Sequence, residues 1–264
     1  RLSFADFDMV TKLICISARK SVGMRGNAGP RARPSLSFRT MNKRLFEHWT
    51  HDVPTATCAP VYPDGCRDVL IIWRPGAHPE VRLTPFDLRP RLVGLTAGSA
   101  LQGYRLRPGA GIGAQALKAI EATPHQAEAI ILGELALSGD ADHAIRALSL
   151  PGTTVADTAR DLGLSPRTLQ RLFHGLDLPP PDYWRLLSRA RRAAAHLAAP
   201  LPLAAIAADC GFSDQAHLTR ETLRWFGQTP RQMRRDGATL TLLAQPALGN
   251  WSGDTPTGEQ ISTR

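Results

Sequence analysis

The sequence predicts an α+β protein in which a small β-barrel or β-sandwich domain is followed by an all-α domain. Short apolar segments bounded by turn residues lie between residues 45 and 115, which is typical of strands. Residues 139–237 contain a helix–turn–helix pattern twice, and a long amphipathic segment between the copies predicts a connecting helix. With 264 residues, 43% of them hydrophobic and 21% charged, the chain is large enough for two globular domains.

The two ends of the chain offer little that a core could bury. Residues 1–40 contain a run of Gly, Pro and Arg between positions 23 and 34, which predicts a disordered or extraneous extension that function does not require. Deleting such an extension should leave folding and activity intact. Residues 238–264, in which Gly, Thr, Ser and Pro become frequent after position 246, are predicted to form a flexible tail.

Residues 41–138 are predicted to form the β domain, which ends in helices over the Ala- and Leu-rich segment 114–137. The strand predictions rest on apolar runs next to turn residues such as the Pro-Asp-Gly at 63–65. The predicted strands are Asp68–Trp73, 81–83, 92–95 and 103–107. Five side chains of this domain could line a ligand pocket, although we expect the aromatic ones in the core and the arginines at the surface: Trp49, Trp73, Tyr104, Arg105 and Arg107.

The first helix–turn–helix unit is predicted at about 153–175. Thr153 or Thr154 can cap its first helix, and Gly163 supplies the left-handed backbone of a tight turn, because glycine has no Cβ to clash there. Ser165 can cap the second helix, since the proline that follows it stands where a missing N–H costs nothing. The second helix then continues through Phe173.

The second unit repeats the same order of residues about 48 positions later, at about 202–227. A first helix is predicted at 203–210, Gly211 makes the turn, and Ser213 or Asp214 caps the helix that follows. A turn glycine and a small residue where the helices cross are what two helices meeting at a steep angle require. Two matching copies in one chain predict a duplicated helix–turn–helix domain at 139–237.

A stiff connector is predicted between the two units. Residues 183–199 place leucines and alanines on one helical face and most of their arginines on another. Seventeen helical residues span about 25 Å, and major grooves on one side of B-DNA recur every ~34 Å. A connector of this size could therefore place the second helix of each unit in successive grooves.

The charge distribution agrees with a polyanionic partner for the helical region. The chain carries a net charge of +9, of which residues 1–40 contribute +6 and residues 151–237 contribute +4. Residues 41–150 are neutral, and residues 238–264 carry −1. A basic region beside a neutral one indicates that the two halves meet different partners.

Two segments resemble a known family. Residues 163–173 (GLSPRTLQRLF) and 206–220 (IAADCGFSDQAHLTR), with WFGQTP at 225–230, resemble the DNA-binding domain of AraC/XylS-type transcription regulators. Less specifically, PDGCRDVL at 63–70 and GYRLRPG at 103–109 are similar to the sensor-like, cupin-type β domain that precedes this domain in some members. The resemblance implies a transcription regulator that binds double-stranded DNA.

The resemblance also implies which residues face the major groove. In the first unit these are Arg167, Gln170 and Arg171, and in the second they are Gln215, His217 and Arg220. Their chemistry fits this role, because arginine can bond to guanine O6 and N7 and glutamine to adenine N6 and N7.

Other polar residues of the helical domain are expected to contact phosphates. The predicted phosphate contacts are Ser165, Arg189, Arg192, Ser213 and Arg231. Three further arginines are interpreted as phosphate contacts or solvated charge: Arg191, Arg234 and Arg235. Two features depart from the family pattern, since Thr222 replaces a large aromatic residue and the second helix of the first unit is short. Both departures predict weaker packing or affinity.

An alternative function is an enzyme, or a reactive-thiol or methyl-acceptor β domain, with accessory DNA binding. Cys58 or Cys66 would then be the reactive group. We expect no enzyme, because the sequence lacks GxSxG, P-loop, dinucleotide-binding and HExxH motifs. A third reading is a helical protein-interaction module that binds no DNA.

No cofactor and no metal are expected. The four cysteines show no CxxC spacing, and a zinc site built with His48 and His51 fits no common pattern. We expect a cytoplasmic protein with no membrane partner. A small-molecule effector, a homodimer and RNA polymerase are expected as further partners.

Overall fold

A computed structural model describes residues 45–251, so the predictions for residues 1–40 and 252–264 lie outside the described part. The strands in this range are β1 (Phe46–Val53), β2 (Thr57–Val61), β3 (Asp68–Trp73), β4 (Glu80–Leu83), β5 (Arg91–Leu95), β6 (Ser99–Leu106), β7 (Gly111–Ile112) and β8 (Leu135–Ala136). The helices are α1 (Ala114–Ala122), α2 (Ala127–Glu134), α3 (Gly139–Leu148), α4 (Val155–Asp161), α5 (Pro166–Gly175), α6 (Pro181–His196), α7 (Leu203–Asp209), α8 (Gln215–Phe226), α9 (Pro230–Asp236) and α10 (Ala238–Leu243).

The β region contains a larger and a smaller antiparallel sheet. The strand order in the larger sheet is β1-β6-β3-β4, and β2 pairs with β5 to form the smaller sheet. On one face of the larger sheet, Val53, Ile72 and Leu101 form a cluster against which Leu95 of the smaller sheet packs. This arrangement confirms the predicted α+β class and gives the β domain the form of a sandwich.

The alternation of side chains along β3 gives the larger sheet two different faces. Val69 and Ile71 are fully buried in a cluster with Ile120 of α1 and Ile131 of α2. Leu70 and Ile72 belong to the cluster on the opposite face, toward the smaller sheet. One face of the sheet is therefore covered by helices, and the other borders the space between the sheets.

The expectation that arginines of the β domain lie at its surface is wrong for Arg105 and Arg107. Arg107 is 8% exposed, and its Nε donates to Asp142 Oδ1 of α3 at 2.7 Å. The Arg105 side chain lies 3.2 Å from Asp64 and 3.5 Å from Asp68. Both arginines tolerate burial because carboxylates from other elements pair with them, and sequence spacing does not reveal such partners.

The all-α region is built around the connector helix α6. Trp184 and Leu187 of α6 are fully buried in one cluster with Phe173 of α5 and Phe226 of α8. Tyr62 of the β region belongs to the same cluster, and its hydroxyl lies 3.1 Å from Thr239 Oγ1. The helical core therefore extends into the β region.

The prediction of a flexible tail is wrong for residues 238–251. Residues 238–243 form α10, and Leu243, Leu248 and Trp251 are at most 7% exposed. The Leu248 amide donates to the Asp64 carbonyl at 2.9 Å, which attaches this segment to the β region. The frequent Gly, Pro and Ser residues pointed to a loose tail, but a few apolar side chains suffice to bury the segment. We call residues 238–251 the C-terminal strap.

Candidate nucleic-acid interface

The first helix–turn–helix unit is formed by α4 and α5. Thr154 is the N-cap of α4, and its Oγ1 accepts from the Asp157 amide at 3.1 Å. Gly163 has a φ of 67°, the left-handed conformation that the turn requires. Ser165 caps α5 by accepting from the Thr168 amide at 3.1 Å. The predicted cap, turn and second helix of this unit are all present.

Helix α5 buries one face and exposes the other. Leu169 and Phe173 are fully buried. The three residues predicted to read bases, Arg167, Gln170 and Arg171, are all exposed. Because residues three and four apart share a helix face, these side chains form one outward-facing group. Their contact with DNA remains a prediction.

The second unit is formed by α7 and α8. Gly211 makes the turn with a φ of 72°, and Asp214 is the N-cap of α8. Asp214 Oδ1 accepts from the His217 amide at 2.6 Å, and this backbone hydrogen bond is the main reason why the pKa of Asp214 is lowered. Gln215 and Arg220 are exposed, as the predicted role in reading bases requires.

His217 and Ser213 contact each other within the second unit. His217 Nδ1 accepts from the Ser213 amide at 3.3 Å and lies 3.1 Å from Ser213 Oγ. The half-buried imidazole also packs at a right angle to the Phe212 ring, with centroids 5.3 Å apart. The Nδ1 atom is therefore engaged inside the protein, and only Nε2 is left for a DNA contact.

Aromatic residues at the start of α6 connect the two units. The Trp184 ring lies 6.4 Å from Phe173 of α5, and the Tyr183 ring lies 5.7 Å from Trp225 of α8. The 16 residues of α6 correspond to about 24 Å of helix. Sequence analysis did not single out these aromatic contacts. The periodicity of the connector predicted a buried face, but not which side chains would meet there.

Several arginines of this domain are held by the protein itself. Arg191 is 7% exposed, and its guanidinium donates to the carbonyls of Leu248 at 3.0 Å and Leu243 at 2.9 Å. The interpretation of Arg191 as a phosphate contact or solvated charge is therefore wrong. A buried arginine is tolerated here because the C-terminal strap supplies carbonyl acceptors.

The other predicted phosphate contacts differ in exposure. Arg189 stacks on the Phe212 ring at 4.5 Å and donates to the Gly211 carbonyl at 3.2 Å. Arg192 donates to the Ser149 carbonyl at 2.6 Å. Arg234 donates to the Leu197 and Ala199 carbonyls, both at 3.2 Å, whereas Arg231 and Arg235 are exposed. Phosphate contacts by Arg189, Arg192, Ser165, Ser213 and Arg231 remain predictions.

The two departures from the family pattern have different outcomes. Thr222 is fully buried, and its hydroxyl donates to the Thr219 carbonyl at 3.1 Å, so its polar atom is satisfied within the core. Helix α5 has 10 residues and α8 has 12, so the second helix of the first unit is indeed the shorter.

The described residues contain neither a metal site nor a membrane-spanning helix. No group of three or more His, Cys, Asp or Glu side chains between residues 45 and 251 is placed to hold a metal ion. Within the same residues, no helix combines the length and the apolar character needed to cross a membrane.

Two helix–turn–helix units on one connector, each with an exposed second helix, define a double helix–turn–helix domain. Residues 158–236 match the family model described as "Helix-turn-helix domain". The region is therefore a helix–turn–helix domain of the AraC type, in agreement with the resemblance seen in the sequence.

Similar proteins were found both by sequence and by structure. The chain is 46% identical over 82 residues to the HTH-type transcriptional regulator VirS of Mycobacterium tuberculosis, from strains CDC 1551 and H37Rv. The match covers 30% of this chain and 23% of VirS, so the chain spans about a quarter of the length of these relatives. The crystal structure of an apo ToxT variant from Vibrio cholerae aligns with a TM-score of 0.39 and 10% identity, over 72% of this chain and 97% of that one.

Proposed function

We propose that the protein is a sequence-specific transcription regulator that inserts α5 and α8 into successive major grooves of double-stranded DNA. The observation that carries this proposal is the pair of exposed helix faces on one connector. Arg167, Gln170 and Arg171 lie on the first face, and Gln215 and Arg220 lie on the second. Since α5 and α8 both pack against the start of α6, the two faces are held in a fixed relation.

DNA binding would depend on two kinds of contact, one to bases and one to phosphates. Arginine and glutamine side chains on the exposed faces would discriminate bases by paired hydrogen bonds. Exposed arginines at the edge of the domain, such as Arg231, would neutralise phosphates and set the register of the protein on the duplex. His217 contributes at most through Nε2, because Nδ1 faces Ser213.

Selection of bound sites from random DNA tests the proposal. The wild-type chain should enrich a bipartite sequence whose halves lie about one helical turn apart. On the selected site, Arg171→Ala or Arg220→Ala should weaken binding by about 1–3 kcal/mol and relax the preference for one half. Arg89→Ala, which removes an exposed arginine of the β region, is the matched control and should leave binding unchanged. Failure to enrich any sequence would contradict the proposal.

The β region would then control DNA binding through a small-molecule effector, through homodimerisation, or through both. Recruitment of RNA polymerase and a cytoplasmic location follow from the same proposed role. The alternative of a reactive thiol at Cys66 is disfavoured. That side chain is 4% exposed, and its burial, followed by the nearby Asp64 charge, raises the pKa of the thiol well above its ordinary value. A thiol in this state is a poor nucleophile.

A further inference from the structure

A cavity of about 730 Å³ lies between the two β-sheets and reaches the DNA-binding region. Its floor is the face of the larger sheet that carries Ile72 and Leu101, and Leu92 and Leu95 of β5 line the opposite side. Arg191 of α6 and four residues of the C-terminal strap also contribute to its wall. The cavity has the size and apolar lining typical of small-molecule sites.

The cavity is elongated along β6. Ser99 and Arg105 of this strand both line it and stand six residues apart, which corresponds to about 20 Å of extended chain. Between them, Gly103 leaves space for the Trp49 indole, which lies across the strand from β1. The Trp49 Nε1 donates to Asp68 Oδ1 at 2.8 Å, so the ring is fixed in this position. An aromatic surface and aliphatic side chains therefore form most of the interior.

Charged groups at the Arg105 end balance one another. Arg105 lies 3.2 Å from Asp64 and 3.5 Å from Asp68, while Arg191 donates to carbonyls of the strap. Burial opposes the charge on Arg105, but Asp68 and Asp64 raise its pKa, so it stays a cation. Two carboxylates and two guanidinium groups leave this end without net charge.

The remaining arginines of the cavity wall lie near carboxylates at its exposed rim, where their side chains are 40–51% exposed. Arg74 and Arg82 lie 2.7 Å and 3.6 Å from Glu80, and Arg91 bonds to Asp87. Arg74 and Arg82 share the single carboxylate of Glu80, so the exposed rim keeps one positive charge in excess, which solvent screens. At the buried end, an anionic ligand would have to displace Asp64 or Asp68, and a cationic ligand would compete with Arg105 for them. The buried part of the cavity therefore favours a ligand without net charge.

One polar group at the other end of the cavity lacks a partner. Ser99 is 5% exposed, and its Oγ has no hydrogen-bond partner among the described residues. A buried hydroxyl without a partner is destabilising, and a ligand that hydrogen-bonds here would remove that penalty.

We propose that this cavity binds an uncharged, elongated amphipathic molecule whose apolar or aromatic body lies along Trp49 and Leu101 and whose polar group hydrogen-bonds at an end of the cavity. The ligand would also touch the DNA-binding region. The strap residues Leu243 and Gln245 both line the cavity, and their carbonyls accept from Arg191 on α6. Since both helix–turn–helix units pack against α6, a ligand in the cavity would change how α6 positions the two units. This regulatory step rests on the proposed DNA binding, whereas ligand binding itself does not.

Two related fluorescent probes test the class of ligand in the absence of DNA. N-phenyl-1-naphthylamine is uncharged, and 8-anilino-1-naphthalenesulfonate carries the same rings with an added anionic sulfonate. Titration of the full chain should show one site for the neutral probe, with at least tenfold tighter binding than for the sulfonate. Equal or tighter binding of the sulfonate, or no saturable binding of the neutral probe, would overturn the proposal.

Variants that fill the cavity locate the probe. Leu101→Trp on the larger sheet and Leu95→Trp on the smaller sheet should each weaken neutral-probe binding at least tenfold. Leu88→Trp is the matched control, because Leu88 is 58% exposed and does not line the cavity. Circular dichroism identifies a variant that fails to fold. If one filling variant is unfolded, probe binding to the other filling variant is used to test the proposal. Unchanged binding in a folded filling variant would show adsorption elsewhere and contradict the proposal.

A DNA-binding assay separates the two proposals. Anisotropy of the selected DNA site, measured with and without saturating neutral probe, should show at least a threefold change in affinity. A bound probe that leaves DNA affinity unchanged would refute the regulatory step only. An absence of specific DNA binding, with the probe still bound, would refute the proposed function and leave the ligand site standing.

Discussion

Replacement of Gly103 by alanine should destabilise the protein, because a Cβ at this position has no room. An ideal Cβ would lie 2.0 Å from Trp49 Cε2 and 2.4 Å from Trp49 Nε1, far inside van der Waals contact. The indole would have to move toward the cavity and give up its 2.8 Å hydrogen bond to Asp68.

The expected magnitude follows from three contributions. Overpacking of a fitted site costs about 1–3 kcal/mol, and loss of a hydrogen bond to a charged group costs about 1.5–3 kcal/mol. Alanine is more favourable than glycine within a strand, which offsets about 0.5–1 kcal/mol of this loss of stability. We therefore expect Gly103→Ala to lower the free energy of unfolding by about 2–5 kcal/mol.

Urea unfolding of a double-mutant cycle isolates the cause. In a Trp49→Ala background the obstructing ring is absent, so Gly103→Ala should then be close to neutral. The neutral naphthylamine probe should also bind more weakly to the single Gly103→Ala variant, since the displaced indole enters the cavity. An equal loss of stability in both backgrounds would refute the steric reasoning.

Three further predictions concern the helical region. Arg191→Met should lower the free energy of unfolding by about 3 kcal/mol or more in urea titrations, because buried carbonyls of the strap lose their donor. Arg235→Met, at an exposed arginine, is the control. Equal losses of stability in the two variants would show that the hydrogen bonds of Arg191 do not stabilise the strap. Asp214→Ala should reduce thermal stability at neutral pH. Because the pKa of Asp214 is lowered in the folded state by the His217 amide, the carboxylate stabilises the protein above the pKa of an unfolded aspartate, and this contribution disappears as the pH falls through the lower folded value. Asp214→Asn keeps the cap without the titration, so a stability difference between the wild-type protein and Asp214→Asn should shrink as the pH falls, and a difference that is independent of pH would contradict the assignment. Arg231→Ala should weaken binding to all DNA sequences alike and reduce the slope of log K against log salt by about 1, whereas an effect confined to one sequence would identify Arg231 as a base reader.

The features that the sequence predicted depend on neighbouring residues. Gly163 and Gly211 have the expected left-handed backbone, and Ser165 caps α5. The sequence offered two candidate N-cap residues for α4 and two for α8, and in the structure the caps are Thr154 and Asp214. Turns and caps could be predicted because their hydrogen bonds close within a few residues.

The features that sequence analysis missed depend on contacts between distant segments. Arg191 is buried because carbonyls more than 50 positions later accept its hydrogen bonds. Arg107 pairs with Asp142 across 35 positions, and the strap attaches to Asp64. Of the five suggested pocket residues, Trp49 and Arg105 line the cavity, whereas Trp73 packs against the core on the other face of the sheet. Charge and apolar content do not specify partners at such separations.

Hydroxyl-radical footprinting on a selected site tests the two-groove arrangement most directly. If α5 and α8 enter successive major grooves, the wild-type chain should protect two patches on one face of the duplex, about 10 base pairs apart. Arg171→Ala should weaken one patch and Arg220→Ala the other. A single protected patch, or uniform protection without a preferred position, would contradict the account.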